Sequence, residues 1–332
     1  MAHNITERDG FFTVRQPAWH GLGDVLDDYP TIQEAKSIAH PWEPVTEPVY
    51  RAVPAIADDG TLTTSFEPIT GHQAVVRSDD SSTLGIVSST YEPVRNSELY
   101  EIAEALEGVS PGEVRLETGG SLLGGKKVWL LVRMSDPLTV DGDPHGAVIP
   151  YFALQNSHDG SGAFRGQATM TRIVCDNTSQ MADMDAKARG TEFAFSHTKN
   201  VQDRIDQAKE ALAGWRTSIE EYQRMQEHLL TLEIDKDTAE HFIEKFIPLP
   251  KMHTVSDRVV ANVDAARTDL RNLLYGETNE GVSGTAYGLV AASVEYLNHS
   301  RATRSEESRF KRAYLDRSRL TADAVALALE LA

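Results

Sequence analysis

The sequence contains a single cysteine, Cys175, among its 332 residues. One thiol excludes an intramolecular disulfide and any cysteine-rich zinc module. No segment approaches the ~18–20 consecutive apolar residues that a membrane helix needs. The first residues lack both a basic head and an apolar stretch, so we expect no signal peptide and a cytoplasmic protein that contacts no membrane.

Positive charge is also scarce, with 32 lysines and arginines against 50 aspartates and glutamates and a formal net charge of −18. This acidity argues against broad, non-specific binding to nucleic acid. It leaves a local basic groove open, because nucleic acid responds to charges within a Debye length of about 10 Å. With 40% hydrophobic residues, the chain is long enough to form two or three folding units.

Sequence motifs for catalysis are weak. Residues 119–126, Gly-Gly-Ser-Leu-Leu-Gly-Gly-Lys, lack the Gly-Lys-Ser/Thr ending of a phosphate loop and precede a strand, so we expect a hairpin turn there and no cofactor. Cys175 could be a nucleophile, but it ends an apolar run, which favours a buried core residue. We favour no metal site, because ligands at the characteristic tight spacing are absent. Those that could still gather round an ion are His145, His158, Asp159, Asp176 and His197.

The hydrophobic pattern predicts an α+β protein. It consists of an antiparallel β-hairpin sheet with a packed helix, followed by an α-helical C-terminal half. The three hairpins lie between about residues 70 and 175. The predicted units are an N-terminal docking segment over 1–65, a β-rich core domain over 66–198 and a helical domain over 199–332.

Helix signals are clear at several points. Thr31 and Glu34 predict a capping box for a short helix that ends at about His40. A 3-4 spacing of apolar residues from Ile205 to Leu229 predicts a long helix with a coiled-coil-like seam. Further helices are predicted from the N-cap Asn96, over about 176–187, and over about 236–246, 257–275, 285–298 and 309–331.

Residues 151–182 combine two strand-like runs with a polar, glycine-rich loop between them. We predict a hairpin with a flexible tip that reaches a partner. Such a tip suits clamping better than catalysis, since catalysis requires rigidly held groups. The predicted clamp residues are Asn156, His158, Asp159, Gly160 and Gly162.

Basic residues recur on the neighbouring hairpins. We expect them to converge into one positive channel for a DNA backbone, with aromatic side chains beside it that stack on bases. The predicted nucleic-acid-binding residues are Lys126, Lys127, Arg133, Arg165 and Arg172, with Trp129 and Phe164 as stacking rings. Residues 301–319 hold seven more basic residues against three acidic ones, a pattern that favours a solvated helix face.

Several stretches together resemble a known family. They include Pro17–Gly23 (PAWHGLG), Asn156–Gly166 (NSHDGSGAFRG), Arg172–Thr178 (RIVCDNT) and Gly284–His299 (GTAYGLVAASVEYLNH). In this order they resemble the phage/plasmid-like protein family, found in bacteriophages, plasmids and prophages, which carries a domain of unknown function. The resemblance implies a mobile-element protein inside a bacterial cell, and it supplies no catalytic residues. The hairpin–hairpin–helix order is also similar to the core of single-strand annealing proteins.

Three functions remain open at this point. We expect a DNA-metabolism protein that binds or anneals single-stranded DNA in recombination or replication, and that forms a homo-oligomer. The first alternative is a non-enzymatic protein that assembles with itself or binds a host or phage protein. The second is a metal-assisted enzyme that acts on nucleotides or nucleic acid. The sparse catalytic motifs favour a protein without enzymatic activity.

Overall fold

The computed structural model describes residues 9–15, 23–109, 112, 114–134, 136–144, 146–172, 177–180, 192–197, 215–250, 256–303 and 320–332. The predicted α+β class is confirmed, because the strands and most of the helices occupy separate parts of the chain instead of alternating. In this described part, no helix is both long and apolar enough to cross a membrane.

Among the described residues the larger sheet has nine strands. They are β1 (Phe11–Val14), β2 (Asp24–Leu26), β6 (Arg115–Leu122), β7 (Lys127–Arg133), β8 (Leu138–Thr139), β9 (Ala147–Ser157), β10 (Phe164–Arg172), β11 (Asn177–Gln180) and β12 (Glu192–Phe195). The strand order is β11–β10–β9–β7–β6–β1–β2, with β8 beside β9 and β12 beside β10. Strands β6 and β7 and strands β9 and β10 form two of the predicted hairpins.

The smaller sheet has three antiparallel strands, β3 (Pro44–Ile56), β4 (Leu62–Arg77) and β5 (Thr83–Ser88). Strands β4 and β5 form the third of the predicted hairpins. The long hairpin of β3 and β4 was not predicted. The predicted boundary at 65/66 falls inside β4.

Seven helices lie in the described residues. They are α1 (Ile32–Ala39), α2 (Asn96–Val109), α3 (Trp215–Thr231), α4 (Lys236–Phe246), α5 (Asp257–Leu274), α6 (Ala286–Glu295) and α7 (Leu320–Leu331). A π-helical turn, Tyr296–Ser300, continues α6. The helix predicted from Asp176 is wrong where it can be checked, because residues 177–180 form β11; residues 181–187 lie outside the described part.

Local signals account for the start of α1. The backbone N–H of Glu34 donates to the hydroxyl of Thr31 (3.2 Å), and the Glu34 carboxylate accepts from the Thr31 backbone (2.8 Å). This is the predicted capping box. Helix α2 differs, because Asn96 is its first residue and donates its backbone N–H to the carboxylate of Glu43 (2.6 Å), which lies 53 residues earlier. Its cap is therefore supplied by tertiary structure.

The described residues form three hydrophobic cores, two large ones and a smaller one around Phe11 and Trp129 on the large sheet. In the first, α1 and α2 pack with the small sheet against one face of the large sheet. In the second, α4 to α7 pack together. Helix α3 joins them, because Ile219 is buried in the first core and Leu229 in the second. The predicted seam is thus buried inside the chain at these positions, and it offers no coiled-coil surface there. The boundary at 198/199 lies outside the described residues.

Candidate functional site

The predicted basic channel depends on where its cations lie. Lys127 and Arg133 are the first and last residues of β7, so they stand about 20 Å apart. The Lys127 ammonium donates to the Ser161 hydroxyl (3.0 Å). Arg133 donates to the Tyr29 hydroxyl (2.7 Å) and lies 3.5 Å from the Asp136 carboxylate. The two cations therefore serve separate local networks.

The remaining predicted cations are spread over the same sheet. Arg165 on β10 lies opposite Gln155 on β9, which in turn lies opposite Trp129 on β7. Arg165 is therefore two strand spacings from β7, a total of about 10 Å. Arg172 is seven residues further along β10, about 23 Å away, and its side chain lies outside the described part. Lys126 is in the β6–β7 turn and is half-buried. Lys127 therefore lies about 12 Å from Arg165 at one end of these strands, whereas Arg133 lies at the other end of β7, so the described cations do not all line one channel.

The two predicted stacking rings lie in the protein interior. Phe164 is buried between Phe193 and Phe195, with ring centroids 6.2 and 5.9 Å away. Trp129 is buried against Phe11, with centroids 5.7 Å apart. Neither ring is exposed to a nucleic-acid base in this arrangement, so the prediction that they stack on bases is wrong for this structure.

The predicted clamp loop is held in place and is not a free tip. The Asp159 carboxylate accepts from the hydroxyl of Ser157 (2.6 Å) and from the backbone of Ser161 (2.9 Å). The Asn156 amide donates to the carbonyl of Val94 (3.0 Å). A Cβ added at Gly85 of β5 would lie 2.7 Å from the Cα of Asp159, which shows how closely the loop packs on the small sheet. Gly160 has a φ of +77° and packs near Val87 of β5, and Gly162 lies near Ser157.

His158, a predicted clamp residue and possible metal ligand, is completely buried. Its Nε2–H donates to the Asn96 amide oxygen (2.9 Å), and its ring meets the edge of Trp42. Burial lowers the pKa of His158 to about 3, with the neighbouring His197 adding to the effect. The imidazole is therefore neutral near pH 7 and is enclosed by the residues that the structure describes.

A second buried histidine, His40, has the same character. Its Nε2–H donates to the carbonyl of Gly120 (2.8 Å), and its Nδ1 accepts from the Tyr100 hydroxyl (2.8 Å). Burial lowers the pKa of His40 to about 4. Among the described residues no group of three or more His, Cys, Asp or Glu side chains could hold a metal ion. The candidates His145, Cys175 and Asp176 lie outside the described part.

Sequence reasoning missed a charged cluster around Tyr29. The Arg15 guanidinium lies over its ring, 4.9 Å from the centroid, and Arg15 also pairs with Asp28 (3.6 Å). Burial raises the pKa of the neighbouring Glu117, opposed by Arg133. A shallow cleft of about 360 Å³ opens beside Tyr29 and is lined by both acidic and basic side chains. Arg15 and Arg133 each pair with a neighbouring aspartate in this cluster, so these two cations are partly neutralised.

The most exposed element of the described structure is the tip of the β3–β4 hairpin. Here we define the arm as residues 50–68, where Tyr50 pairs with Pro68 at the base and Ile56 with Leu62 near the turn. In this range neither strand pairs with any other described strand, because β5 pairs only with residues 72–76 of β4. The arm therefore extends about 20 Å as an isolated two-stranded ribbon.

The arm is set off from the protein body by a large β-bulge. Between the pairs Pro48–Gln73 and Tyr50–Pro68, β3 advances by two residues and β4 by five. Gly71, with φ of +83°, lies within the extra residues of β4. Its carbonyl accepts from Ser89 (3.0 Å), which ties the bulge to the end of β5. Bulges bend and twist a strand pair, so this one directs the arm away from the rest of the sheet.

The two faces of the arm differ in chemistry, because side chains alternate along a strand. One face carries Arg51, which pairs with Glu67, together with small and polar residues. On the other face, four large apolar side chains are between 53% and 79% exposed. We call this the apolar face of the arm. It consists of Tyr50, Ala52, Pro54, Ile56, Leu62, Thr64, Phe66 and Pro68.

Comparison with known proteins identifies the family. Residues 83–317 match the family described as a domain of unknown function, DUF932. The chain belongs to the DUF932 family. No curated protein and no solved structure matches it. The arm precedes the matched region, so this DUF932 protein carries the ribbon in addition to the part that the family match covers.

Proposed function

We propose that this DUF932 protein is a non-enzymatic, self-assembling protein, and that a second copy of the chain covers the apolar face of the arm. The observation that carries the proposal is the exposure of Tyr50, Ile56, Leu62 and Phe66 on one face of an isolated ribbon. A two-stranded hairpin is marginally stable alone in water, and a contiguous exposed apolar patch marks an interaction site.

The charge of the arm argues that its partner is a protein and not a nucleic acid. The arm has one basic residue, Arg51, against the three acidic residues Asp58, Asp59 and Glu67. Ribbons that enter a DNA groove present arginine and lysine to the phosphates. An acidic ribbon with an apolar face has the opposite character, and it suits contact with another apolar protein surface.

The size of the apolar face is sufficient for an interface with a copy of itself. Its four large side chains would each contribute about 1–2 kcal/mol on burial, after their present exposure is taken into account. The four side chains of one arm together contribute about 4–8 kcal/mol and those of two arms about 8–16 kcal/mol, which is comparable with a cost of association of about 4–15 kcal/mol.

Single-stranded DNA, the partner expected from the sequence, has less support. The described cations lie on separate parts of the large sheet, and the two predicted stacking rings are buried. The basic residues between 304 and 319 lie outside the described part. We therefore keep nucleic acid as an outcome of the test and not as the proposed ligand.

Origin on a mobile element is a further part of the proposal. It rests on the resemblance of segments such as Asn156–Gly166 and Gly284–His299 to the phage/plasmid-like proteins. We propose that the gene lies within a bacteriophage, plasmid or prophage. The genes that flank it provide the test, and flanking housekeeping genes in every genome that carries a relative would contradict this origin.

Truncation of one arm side chain tests the proposed assembly. Phe66→Ala removes a ring from each copy, so we expect association to weaken by about 2–4 kcal/mol, roughly 30- to 1,000-fold in Kd. Val53→Ala is the matched control, because Val53 lies on the same ribbon but on its opposite face. Sedimentation equilibrium of the full chain measures both. A monomeric wild-type protein, or equal loss in both variants, would refute the proposal.

A further inference from the structure

We infer that two arms stack face to face and antiparallel about a two-fold axis, so that the tip of each arm lies over the base of the other. This inference rests on the proposed self-assembly and specifies its geometry. The alternatives are strand addition at an edge of the arm, a parallel stack of two arms, and contact of an arm with the body of another copy.

Proline makes strand addition unfavourable. Pro48 and Pro54 lie in β3 and Pro68 lies in β4, and each removes a backbone N–H from the ribbon. Proline on exposed strand edges hinders pairing with another chain. The edges of the arm are thus poor templates, whereas its apolar face is uncovered. Docking therefore involves the face of the ribbon.

The side chains of the apolar face form four rows across the ribbon. From tip to base the rows are Ile56 with Leu62, Pro54 with Thr64, Ala52 with Phe66, and Tyr50 with Pro68. A two-fold axis parallel to the rows, between the second and third, superimposes the tip row of one arm on the base row of the other. Each large ring then meets a smaller partner, since Phe66 faces Thr64 and Tyr50 faces Ile56. Such alternation allows close packing.

Charge decides between the antiparallel and the parallel stack. Asp58 and Asp59 are both exposed in the turn of the arm. A parallel stack would bring four carboxylates together at one end, in a protein whose net charge is already −18. In the antiparallel stack the two turns lie about 35 Å apart, beyond several Debye lengths at physiological salt. The acidic turn therefore favours the antiparallel arrangement.

Chemical cross-linking tests this geometry. The sequence has a single cysteine, so the substitution Cys175→Ser gives a cysteine-free background for the experiment. Thr64→Cys places a thiol near the two-fold axis, about 12 Å from its copy, since stacked sheets lie about 10 Å apart. Asp58→Cys places it in the turn, about 35 Å from its copy. A short bis-maleimide spans the first distance only.

The antiparallel stack predicts a cross-linked dimer for Thr64→Cys and none for Asp58→Cys. Cross-linking of both would overturn the inference in favour of the parallel stack. Cross-linking of neither, with an oligomer still present in sedimentation, would overturn it in favour of contact with another surface and would leave the proposed self-assembly standing. A monomer in the wild-type chain would refute both. Should Cys175→Ser fail to fold, the same two substitutions in the native background are compared with the unsubstituted chain under the same reagent.

Discussion

Acid should destabilise this protein as the pH falls from 6.5 towards about 4, starting above the range in which most carboxylates take up protons. His40 and His158 are both buried and neutral, with pKa values lowered to about 4 and about 3. In the unfolded chain each imidazole takes up a proton below about pH 6.5. Their stabilising contribution is therefore complete above pH 6.5 and is lost as the pH falls towards the folded pKa values.

The size of the effect follows from these values. Each histidine lowers the free energy of unfolding by about 1.4 kcal/mol for every pH unit below 6.5. At pH 4.5 the two together lower the free energy of unfolding by about 5 kcal/mol, a large part of the 5–15 kcal/mol typical of a folded domain. The raised pKa of Glu117 acts in the opposite direction, because its folded form binds a proton more readily than its unfolded form.

Urea denaturation at pH 7.5, 6.5, 5.5 and 4.5 measures this slope. His158→Gln is the informative variant, because the glutamine amide can still donate to Asn96 but does not titrate. We expect its slope below pH 6.5 to be smaller than that of the wild type by about 1.4 kcal/mol per pH unit, whatever its stability at pH 7.5. Both proteins are also measured with Phe66→Ala added, because this substitution weakens assembly and leaves unfolding as the transition that is measured. Unchanged stability from pH 7.5 to 4.5, or equal slopes in the two proteins, would refute the reasoning.

Three other substitutions, one of them with a matched control, probe the packing and the charges. Gly166→Ala should destabilise by about 1–3 kcal/mol in urea, because its Cβ would lie 2.4 Å from the ring of Phe193, whereas Gly108→Ala in open space on α2 should be neutral or stabilising. Equal effects of the two would contradict this packing. Arg77→Met should cost about 2 kcal/mol, since the buried guanidinium pairs with Asp79 (2.7 Å) and lies over the Trp42 ring; a change below 0.5 kcal/mol would show that these contacts contribute little. Lys127→Glu should leave oligomer mass unchanged in light scattering, and a shift to monomer would place the interface on β7 instead of the arm.

Much of the fold is readable from local patterns. The capping box of Thr31 and Glu34, the buried stripe of α2 and two of the hairpins each depend on residues close in sequence. The burial of Phe164 is also predictable from the sequence. Phe164, Gly166, Ala168 and Met170 are spaced by two residues along β10, so they share one face, and the apolar character of that face places Phe164 in the core.

The arm could not be predicted in the same way. Strand β3 contains Pro44, Pro48 and Pro54, which argue against a strand unless one of its edges is unpaired. The pattern of β4 is interrupted at the bulge, so its two halves do not share one alternation. Exposure of apolar side chains on an isolated ribbon is a property of tertiary structure. The distance between Lys127 and Arg133 likewise depends on tertiary structure, because the two residues are the first and last of β7.

The salt dependence of self-association tests the central claim most directly. Light scattering of the wild-type chain and of Phe66→Ala at 50 and 500 mM NaCl is sufficient. Screening weakens the repulsion between copies of a −18 protein and leaves apolar contacts in place, so the arm account predicts a wild-type oligomer that strengthens with salt and a Phe66→Ala oligomer that is weaker at both concentrations. An oligomer that dissociates at 500 mM NaCl, or one that Phe66→Ala leaves intact, would contradict it.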